Sequence, residues 1–199
     1  MKPPGPGDAL LVVDVQNDFL PGGALGIAGG DAVLAPLNRL LGAWRVRGLP
    51  VYLTRDWHPP GHCSFVERGG PWPAHCVAGT AGAGFSPRLE RAAGDVVVSK
   101  ATRPDRDAYS ALDGTPLADE LRRTGVHRIF VGGLATDYCV RATGLDARAD
   151  GIEVVVLRDA VCAVNARPGD GAAATSELEA AGAELATTDE VLASMGARQ

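Results

Sequence analysis

A cysteine stands where an apolar run gives way to a helical stretch. The run Ile129-Phe130-Val131 ends at the pair Gly132 and Gly133, and Cys139 follows a short turn. A helix N-terminus carries unpaired N–H groups and partial positive charge, which favour a thiolate and an oxyanion nearby. The order strand, turn, nucleophile, helix therefore predicts cysteine chemistry, with Cys139 in the first turn of a helix.

Three more reactive side chains each follow another apolar run: Asp14, Asp56 and Lys100. In an open parallel sheet, ligands bind outside the carboxyl ends of the strands. We therefore expect these three side chains to converge with Cys139 at one edge of a sheet.

The predicted cluster could attack a carbonyl group, with a separate role for each part. Asp14 would accept the proton of the Cys139 thiol, because only the thiolate attacks. Lys100 would hold the carboxylate and thiolate charges together and keep the pKa of the thiol low. Backbone N–H groups of the turn from Ala135 to Cys139 would bind the resulting oxyanion.

A long loop, residues 56–87, contains three of the four histidines, His58, His62 and His75. Asp56 and His58 are two residues apart, so an extended segment puts both on one face. A carboxylate with two neutral imidazoles suits one divalent transition metal, Zn first and Fe or Mn as alternatives.

Two other interpretations of this loop remain open. Cys63 and Cys76 could complete a closed structural zinc site, although the spacing lacks a C-x-x-C pair. Alternatively, the loop binds no metal and its histidines are solvated.

Two aromatic residues lie in long loops at the same predicted edge. Phe19 belongs to the Gly-rich segment 15–30, and Trp72 belongs to the histidine-containing loop. A flat aromatic ligand would fit between them by offset stacking. The alternative is that each ring only anchors its loop to the core.

Strands and helices alternate along the chain, which predicts an α/β fold with a parallel sheet covered on both faces. The predicted strands are 9–13, 50–54, 96–99, 128–131, 152–157 and 183–186. The predicted helices are 31–47, 117–123, 138–149 and 171–181. We expect a flexible tail over residues 1–7 and a single domain over residues 8–199.

Composition narrows the classes of function. The 199 residues carry a formal net charge of −5 with both signs mixed along the chain, which argues against nucleic acid and an anionic membrane surface. No apolar run is long enough for a membrane span. The start has no apolar stretch typical of a signal peptide, so we expect a cytoplasmic protein with reduced cysteines.

Five motifs together resemble the nicotinamidase/pyrazinamidase branch of the isochorismatase-like cysteine hydrolases, from Ala9 to about Val161. They are Val13-Asp14-Val15-Gln16-Asn17-Asp18-Phe19, Thr54-Arg55-Asp56-Trp57-His58-Pro59, Trp72-Pro73-Ala74-His75-Cys76-Val77, Ser99-Lys100-Ala101 and Gly133-Leu134-Ala135-Thr136-Asp137-Tyr138-Cys139-Val140. The Asp-x-His pair with Trp-Pro-x-His-Cys is what separates this branch from most relatives.

The resemblance implies a role for each matching residue. The triad would be Asp14, Lys100 and Cys139. The metal ligands would be Asp56, His58 and His75, with His62 as a further candidate. The substrate ring would lie between Phe19 and Trp72, with Tyr109 at the pocket wall. The bond between Leu134 and Ala135 would be cis and would turn the Ala135 N–H toward the oxyanion.

The same resemblance implies a three-layer α/β/α, isochorismatase-like fold whose six parallel strands stand in the order 3-2-1-4-5-6. It implies a metal-dependent amidase that hydrolyses nicotinamide, and pyrazinamide, to the acid and ammonia through a cysteine thioester. A carbamoyl or ureido amide as substrate and a non-catalytic metal- or ligand-binding protein remain alternatives. Homo-oligomer formation is left open.

Overall fold

A sheet of six parallel strands runs through the molecule in the order β3-β2-β1-β4-β5-β6. This computed structural model describes residues 1–196. The strands are β1 (Asp8–Val13), β2 (Val51–Asp56), β3 (Val96–Lys100), β4 (Arg128–Leu134), β5 (Glu153–Cys162) and β6 (Glu184–Ala186). The predicted fold class and strand order are confirmed.

Helices cover both faces of the sheet. Successive side chains of a strand point to opposite faces, and every residue of β1 is buried, so both faces are packed against helices. They are α1 (Leu34–Val46), α2 (Leu117–Arg123), α3 (Arg141–Ala149), α4 (Asp170–Ala180) and α5 (Thr188–Gly196). One core contains side chains of α1 and α5, including Trp44, and the other contains side chains of α2, α3 and α4. In β1, Leu10 faces the first core and Leu11 faces the second.

Several element boundaries differ from the sequence-based prediction. The predicted helix 31–47 opens as a 3₁₀ turn, Gly30–Val33, before α1 begins. The predicted helix from residue 138 is wrong at its start, because Thr136–Val140 form a π-helical turn and α3 begins at Arg141. Strand β5 continues five residues beyond its predicted end, and α5 was not predicted.

Gly133 lets β4 approach β1 more closely than a side chain would permit. Its φ is +122°, and a Cβ there would lie 2.0 Å from the carbonyl oxygen of Val13. The β4–β5 register shifts between Val131 and Gly133. This contact delivers the turn that follows β4 to the carboxyl edge of the sheet.

The N-terminal residues contact the domain at several points, including an ion pair of the Met1 amino group with Glu184 at 3.5 Å. Arg128 donates to the carbonyls of Lys2 and Pro3 and forms a buried ion pair with Asp8. The division into a flexible tail and one domain stays a prediction, and residues 197–199 of that domain lie outside the described part. Within residues 1–196, no helix has the length and apolar content needed to cross a bilayer.

Candidate active site and metal-ligand cluster

A buried lysine lies at the centre of the candidate site. Lys100 Nζ is 3.0 Å from Asp14 Oδ2 and 2.5 Å from Asp56 Oδ1, and it lies 3.4 Å from Cys139 Sγ. Asp56 ends β2 and pairs with Lys100 at the end of β3, whereas the prediction put both just past their strands. The four residues that were expected to converge therefore do converge.

Asp14 is held in a fixed conformation with its carboxylate beside the thiol and Lys100. Its φ is +50°, and its side chain accepts a 2.7 Å hydrogen bond from Thr54 Oγ1 on Oδ1. The other oxygen, Oδ2, has no partner in hydrogen-bond geometry within residues 1–196, although Lys100 Nζ lies 3.0 Å from it. Ligand atoms of Asp14, Asp56 and Cys139 lie within 4.8 Å of one another, so the Asp14 carboxylate is close to the thiol.

Burial dominates the protonation of this cluster. It raises the pKa of Asp14, although the charge of Lys100 opposes the shift. It also raises the pKa of the Cys139 thiol; Lys100 lowers that pKa, and Asp14 and Asp56 raise it further. Lys100 therefore acts on the thiol pKa in the expected direction, but burial outweighs it, and the expectation of a low thiol pKa is wrong. A carboxylate with a raised pKa is a better base for the thiol proton.

Lys100 itself stays charged. Burial disfavours its ammonium form, but Asp14, Asp56 and Cys139 together raise its pKa well above the ordinary value. A permanently cationic Lys100 contacts both carboxylates and partly offsets their charge beside the sulfur.

The turn after β4 brings the nucleophile and a candidate oxyanion site to one pocket. The bond between Leu134 and Ala135 is cis, as the resemblance implied. Ala135 and Cys139 both line the pocket, and the N–H groups of Tyr138 and Val140 donate to the Ala135 carbonyl. The role of the Ala135 N–H as an oxyanion donor stays a prediction.

Asp56, His58 and His75 form a cluster suited to a cation, with ligand atoms within 4.8 Å of one another. Both ring nitrogens of His58 are buried and lack hydrogen-bond partners among residues 1–196. Burial, with His75 and His62 nearby, lowers the pKa of His58 to about 3, so its imidazole is neutral. His75 Nδ1 contacts the Pro73 carbonyl at 2.8 Å, which leaves Nε2 for a ligand. Buried, unpaired imidazole nitrogens fit a bound metal ion.

His62 stacks beside this cluster, but its nitrogens have other partners. Its ring centroid is 4.3 Å from that of His58. Its Nδ1 lies 2.7 Å from Ser64 Oγ, and its Nε2 lies 3.1 Å from the Arg106 carbonyl. Coordination by His62 would require one of these contacts to break.

The alternative zinc site is not formed in the described chain. Neither Cys63 nor Cys76 belongs to a cluster of ligand atoms within residues 1–196. Burial raises the pKa of the Cys76 thiol far above its ordinary value, so that sulfur stays protonated.

The pocket opens to solvent, and its empty space is about 400 Å³ when the solvent at its mouth is included. Its walls include Phe19, Trp72 and Tyr109, the three residues expected to surround a substrate ring. Trp72 Nε1 donates a 2.9 Å hydrogen bond to Tyr109 Oη, which joins two loops across one wall. Asp56, His75 and Cys139 line the same pocket. A small aromatic ligand there would therefore contact both the nucleophile and the cation site.

Four other pocket residues were not predicted: Leu25, Ile27, Tyr138 and Val164. Leu25 and Ile27 belong to segment 15–30, whose unusual length was the available signal. Tyr138 stands beside the nucleophile in a quoted motif, and its ring centroid is 5.2 Å from that of Trp72. Val164 had no signal in the sequence.

Gln16 is a further residue that sequence reasoning missed. Its buried amide donates to the carbonyls of Asp56 and Ala83 at 2.8 and 2.9 Å, and its Oε1 accepts the Asp56 N–H at 2.8 Å. Gln16 therefore holds the backbone of a candidate metal ligand from both sides. The available signal was its position in the motif that follows β1.

Comparisons with known proteins were consistent with this geometry. The family profile described as "Isochorismatase domain" matches residues 8–190. The nicotinamidase of Escherichia coli is 40% identical over 203 residues, which cover 92% of this chain and 95% of that protein.

Two solved structures are also similar. The pyrazinamidase of Pyrococcus horikoshii in complex with zinc superposes with a TM-score of 0.88 at 47% identity, covering 92% of this chain and 99% of that one. PnC1 from L. infantum in complex with nicotinate gives a TM-score of 0.87 at 39% identity, with 95% and 96% coverage.

Proposed function

Because this chain belongs to the isochorismatase family, we propose that it is an amide hydrolase that converts nicotinamide to nicotinate and ammonia. The observation that carries the proposal is one pocket that presents Cys139 beside Asp56 and His75, between aromatic walls. The E. coli nicotinamidase and the nicotinate-bound structure support the same substrate. Pyrazinamide has the same shape and is the second expected substrate.

The first half of the reaction forms a thioester. The Cys139 thiol gives its proton to Asp14 Oδ2, and the sulfur forms a bond to the carboxamide carbon. The carbonyl oxygen becomes an oxyanion, which N–H groups of the turn from Ala135 to Cys139 stabilise. The C–N bond then breaks, and the nitrogen leaves as ammonia with the proton from Asp14.

The second half regenerates the thiol. Asp14 takes a proton from a water molecule, whose oxygen attacks the thioester carbon. The C–S bond breaks, and the sulfur recovers through Asp14 the proton taken from water. The acid formed then releases its remaining proton to solvent as nicotinate. Lys100 stays cationic throughout and keeps the two carboxylates and the sulfur in place.

We further propose that Asp56, His58 and His75 hold one divalent metal ion, with zinc as the first candidate. When bound, the metal would supply a Lewis-acidic anchor for the substrate ring. The zinc-bound structure from P. horikoshii and the unpaired nitrogens of His58 support this assignment. We also propose a cytoplasmic location, which the four free cysteines support.

The decisive experiment compares two cysteine variants. We expect Cys139→Ala to abolish ammonia release from nicotinamide in a folded, metal-loaded protein. Cys162→Ala is the matched control, because, within residues 1–196, Cys162 is not part of the pocket wall. It lies at the end of β5, and its Sγ is 3.6 Å from the Ala28 carbonyl. It should keep most of the activity.

Two results would overturn the proposal. Substantial activity in folded Cys139→Ala would exclude the cysteine mechanism. Wild-type protein that releases ammonia from a carbamoyl or ureido compound but not from nicotinamide would identify the alternative amidase; no release from any amide would identify a binding protein.

A further inference from the structure

Asp137 joins the nucleophile turn to a different part of the chain. It lies two residues before Cys139 in the π-helical turn Thr136–Val140. Its Oδ1 accepts the N–H of Val164 at 2.9 Å, and its Oδ2 accepts the N–H of Asn165 at 2.8 Å. One carboxylate thus satisfies two successive backbone donors just beyond the end of β5. Hydrogen bonds to an ionised acceptor are roughly twice as strong as neutral ones.

The segment that Asp137 holds forms part of the pocket. Val164 lines the pocket together with Leu25 and Ile27. Among residues 1–196, Asp137 is not part of the pocket wall. Leu25 and Ile27 have other anchors, because their N–H groups donate to the carbonyls of Asp18 and Phe19. The position of Val164 therefore depends on Asp137 in a way that its two neighbours in the wall do not.

The far side of the segment is fixed by α4. Asn165 has a φ of +51°, and its Oδ1 accepts the N–H of Gly171 in the first turn of that helix at 2.9 Å. A Cβ at Gly171 would lie 2.6 Å from the Cβ of Ala163, so the helix and the segment are in close contact. With α4 on one side and Asp137 on the other, Val164 has little freedom to move away from the pocket.

We propose that Asp137 is a specificity-determining positioning residue. Through its two hydrogen bonds it holds Val164 against the substrate ring and restricts the pocket to small, unsubstituted aromatic amides. This inference rests on the proposed function, and it assigns substrate size selection to a carboxylate outside the reacting atoms.

The test compares selectivity and not only activity. For Asp137→Ala, we expect KM for nicotinamide to rise by about tenfold while kcat stays within about threefold, because loss of one methylene from an apolar pocket costs about 10–200-fold in kcat/KM. The ratio of kcat/KM for ring-methylated nicotinamides to that for nicotinamide should increase. Val164→Ala should give the same changes. The double variant should show little further change, because the two residues act through one contact.

Asp170→Ala is the matched control. Asp170 lies beyond the same segment and is also half-buried, and its Oδ2 accepts the N–H of Arg167 at 2.8 Å. As the first residue of α4 it bonds to the segment just before that helix, and within residues 1–196 its side chain makes no hydrogen bond to the nucleophile turn. Its KM and its selectivity for ring size should equal those of the wild type.

Several outcomes would overturn the inference. A fall in kcat at unchanged KM would show that Asp137 supports the nucleophile turn instead. Additive effects in the double variant would show that Asp137 does not act through Val164. If Asp137→Ala fails to fold, unchanged selectivity in Val164→Ala alone excludes the proposed wall. All of these results are measured in proteins that release ammonia from nicotinamide, so they are distinct from a failure of the proposed function itself.

Discussion

Replacing Gln16 by alanine should weaken metal binding without touching a metal ligand. The side chain of Gln16 accepts the Asp56 N–H and donates to the Asp56 and Ala83 carbonyls, all within 2.9 Å. After the substitution, the buried Asp56 N–H loses its acceptor, and the backbone that carries the carboxylate loses its support on both sides.

The size of the effect follows from these contacts. An unpaired buried amide costs about 1–3 kcal/mol of stability. Loss of the hydrogen bonds that orient a metal ligand typically costs about 10–100-fold in affinity. Lys100 still holds Asp56 Oδ1 in the variant. We therefore expect the lower end of that range, a rise in Kd of about tenfold, or about 1.4 kcal/mol.

The assay is titration of metal-stripped protein with Zn²⁺ against a competing chromophoric chelator, with the melting temperature measured in parallel. Asn17→Ala is the control, because Asn17 donates to the Ala81 carbonyl in the same loop that contains Ala83. It should leave Kd unchanged. An unchanged Kd in Gln16→Ala, or an equal loss in both variants, would refute the reasoning.

Two further predictions concern stability. Burial first, and then His75 and His62, lower the pKa of His58 to about 3 from 6.5. Between pH 6.5 and about 3, the unfolded metal-free chain therefore binds a proton at His58, whereas the folded chain does not. The free energy of unfolding should fall as the pH is lowered through this range, by at most roughly 1.4 kcal/mol per pH unit. Denaturant titrations at several pH values should show a flatter profile for His58→Gln, and identical slopes would contradict the assignment. Gly133→Ala should prevent stable folding, since its Cβ would meet the Val13 carbonyl oxygen at 2.0 Å. Gly42→Ala, on the exposed face of α1, should instead raise the free energy of unfolding by about 0.5–1 kcal/mol. Thermal unfolding of both variants tests this, and a Gly133→Ala melting temperature near that of the wild type would contradict the close approach.

The sheet was predictable because its strands are continuous apolar runs bounded by Gly, Pro and charged residues. Helix α5 was missed because residues 188–196 form only about two and a half helical turns and have a weak apolar period. The nucleophile turn was predicted as the first turn of an α-helix, but the backbone forms a π-helical turn there. Local sequence patterns do not distinguish these two geometries.

The reactive side chains of the site were predictable, whereas much of their surroundings was not. Asp14, Lys100 and Cys139 follow or end strands, so the topology alone brings them to one edge. Gln16 contacts Asp56, 40 positions away in the sequence, and Val164 contacts Asp137, 27 positions away. No local sequence pattern encodes such tertiary contacts. The pKa of the Cys139 thiol was wrongly expected to be low because the sequence shows a neighbouring charge but not the degree of burial.

Asp56 belongs to two networks at once, and this restricts how the chain can diverge. One of its oxygens binds Lys100 in the thiol cluster, while the same carboxylate faces His58 in the cation cluster. A descendant that abandons the metal can replace either histidine and leave the buried lysine with both of its carboxylates. Replacing Asp56 would remove one of the two carboxylates that, with Cys139, raise the pKa of that lysine. A homologue could therefore lose metal dependence by substitution of His58 or His75, but not by substitution of Asp56.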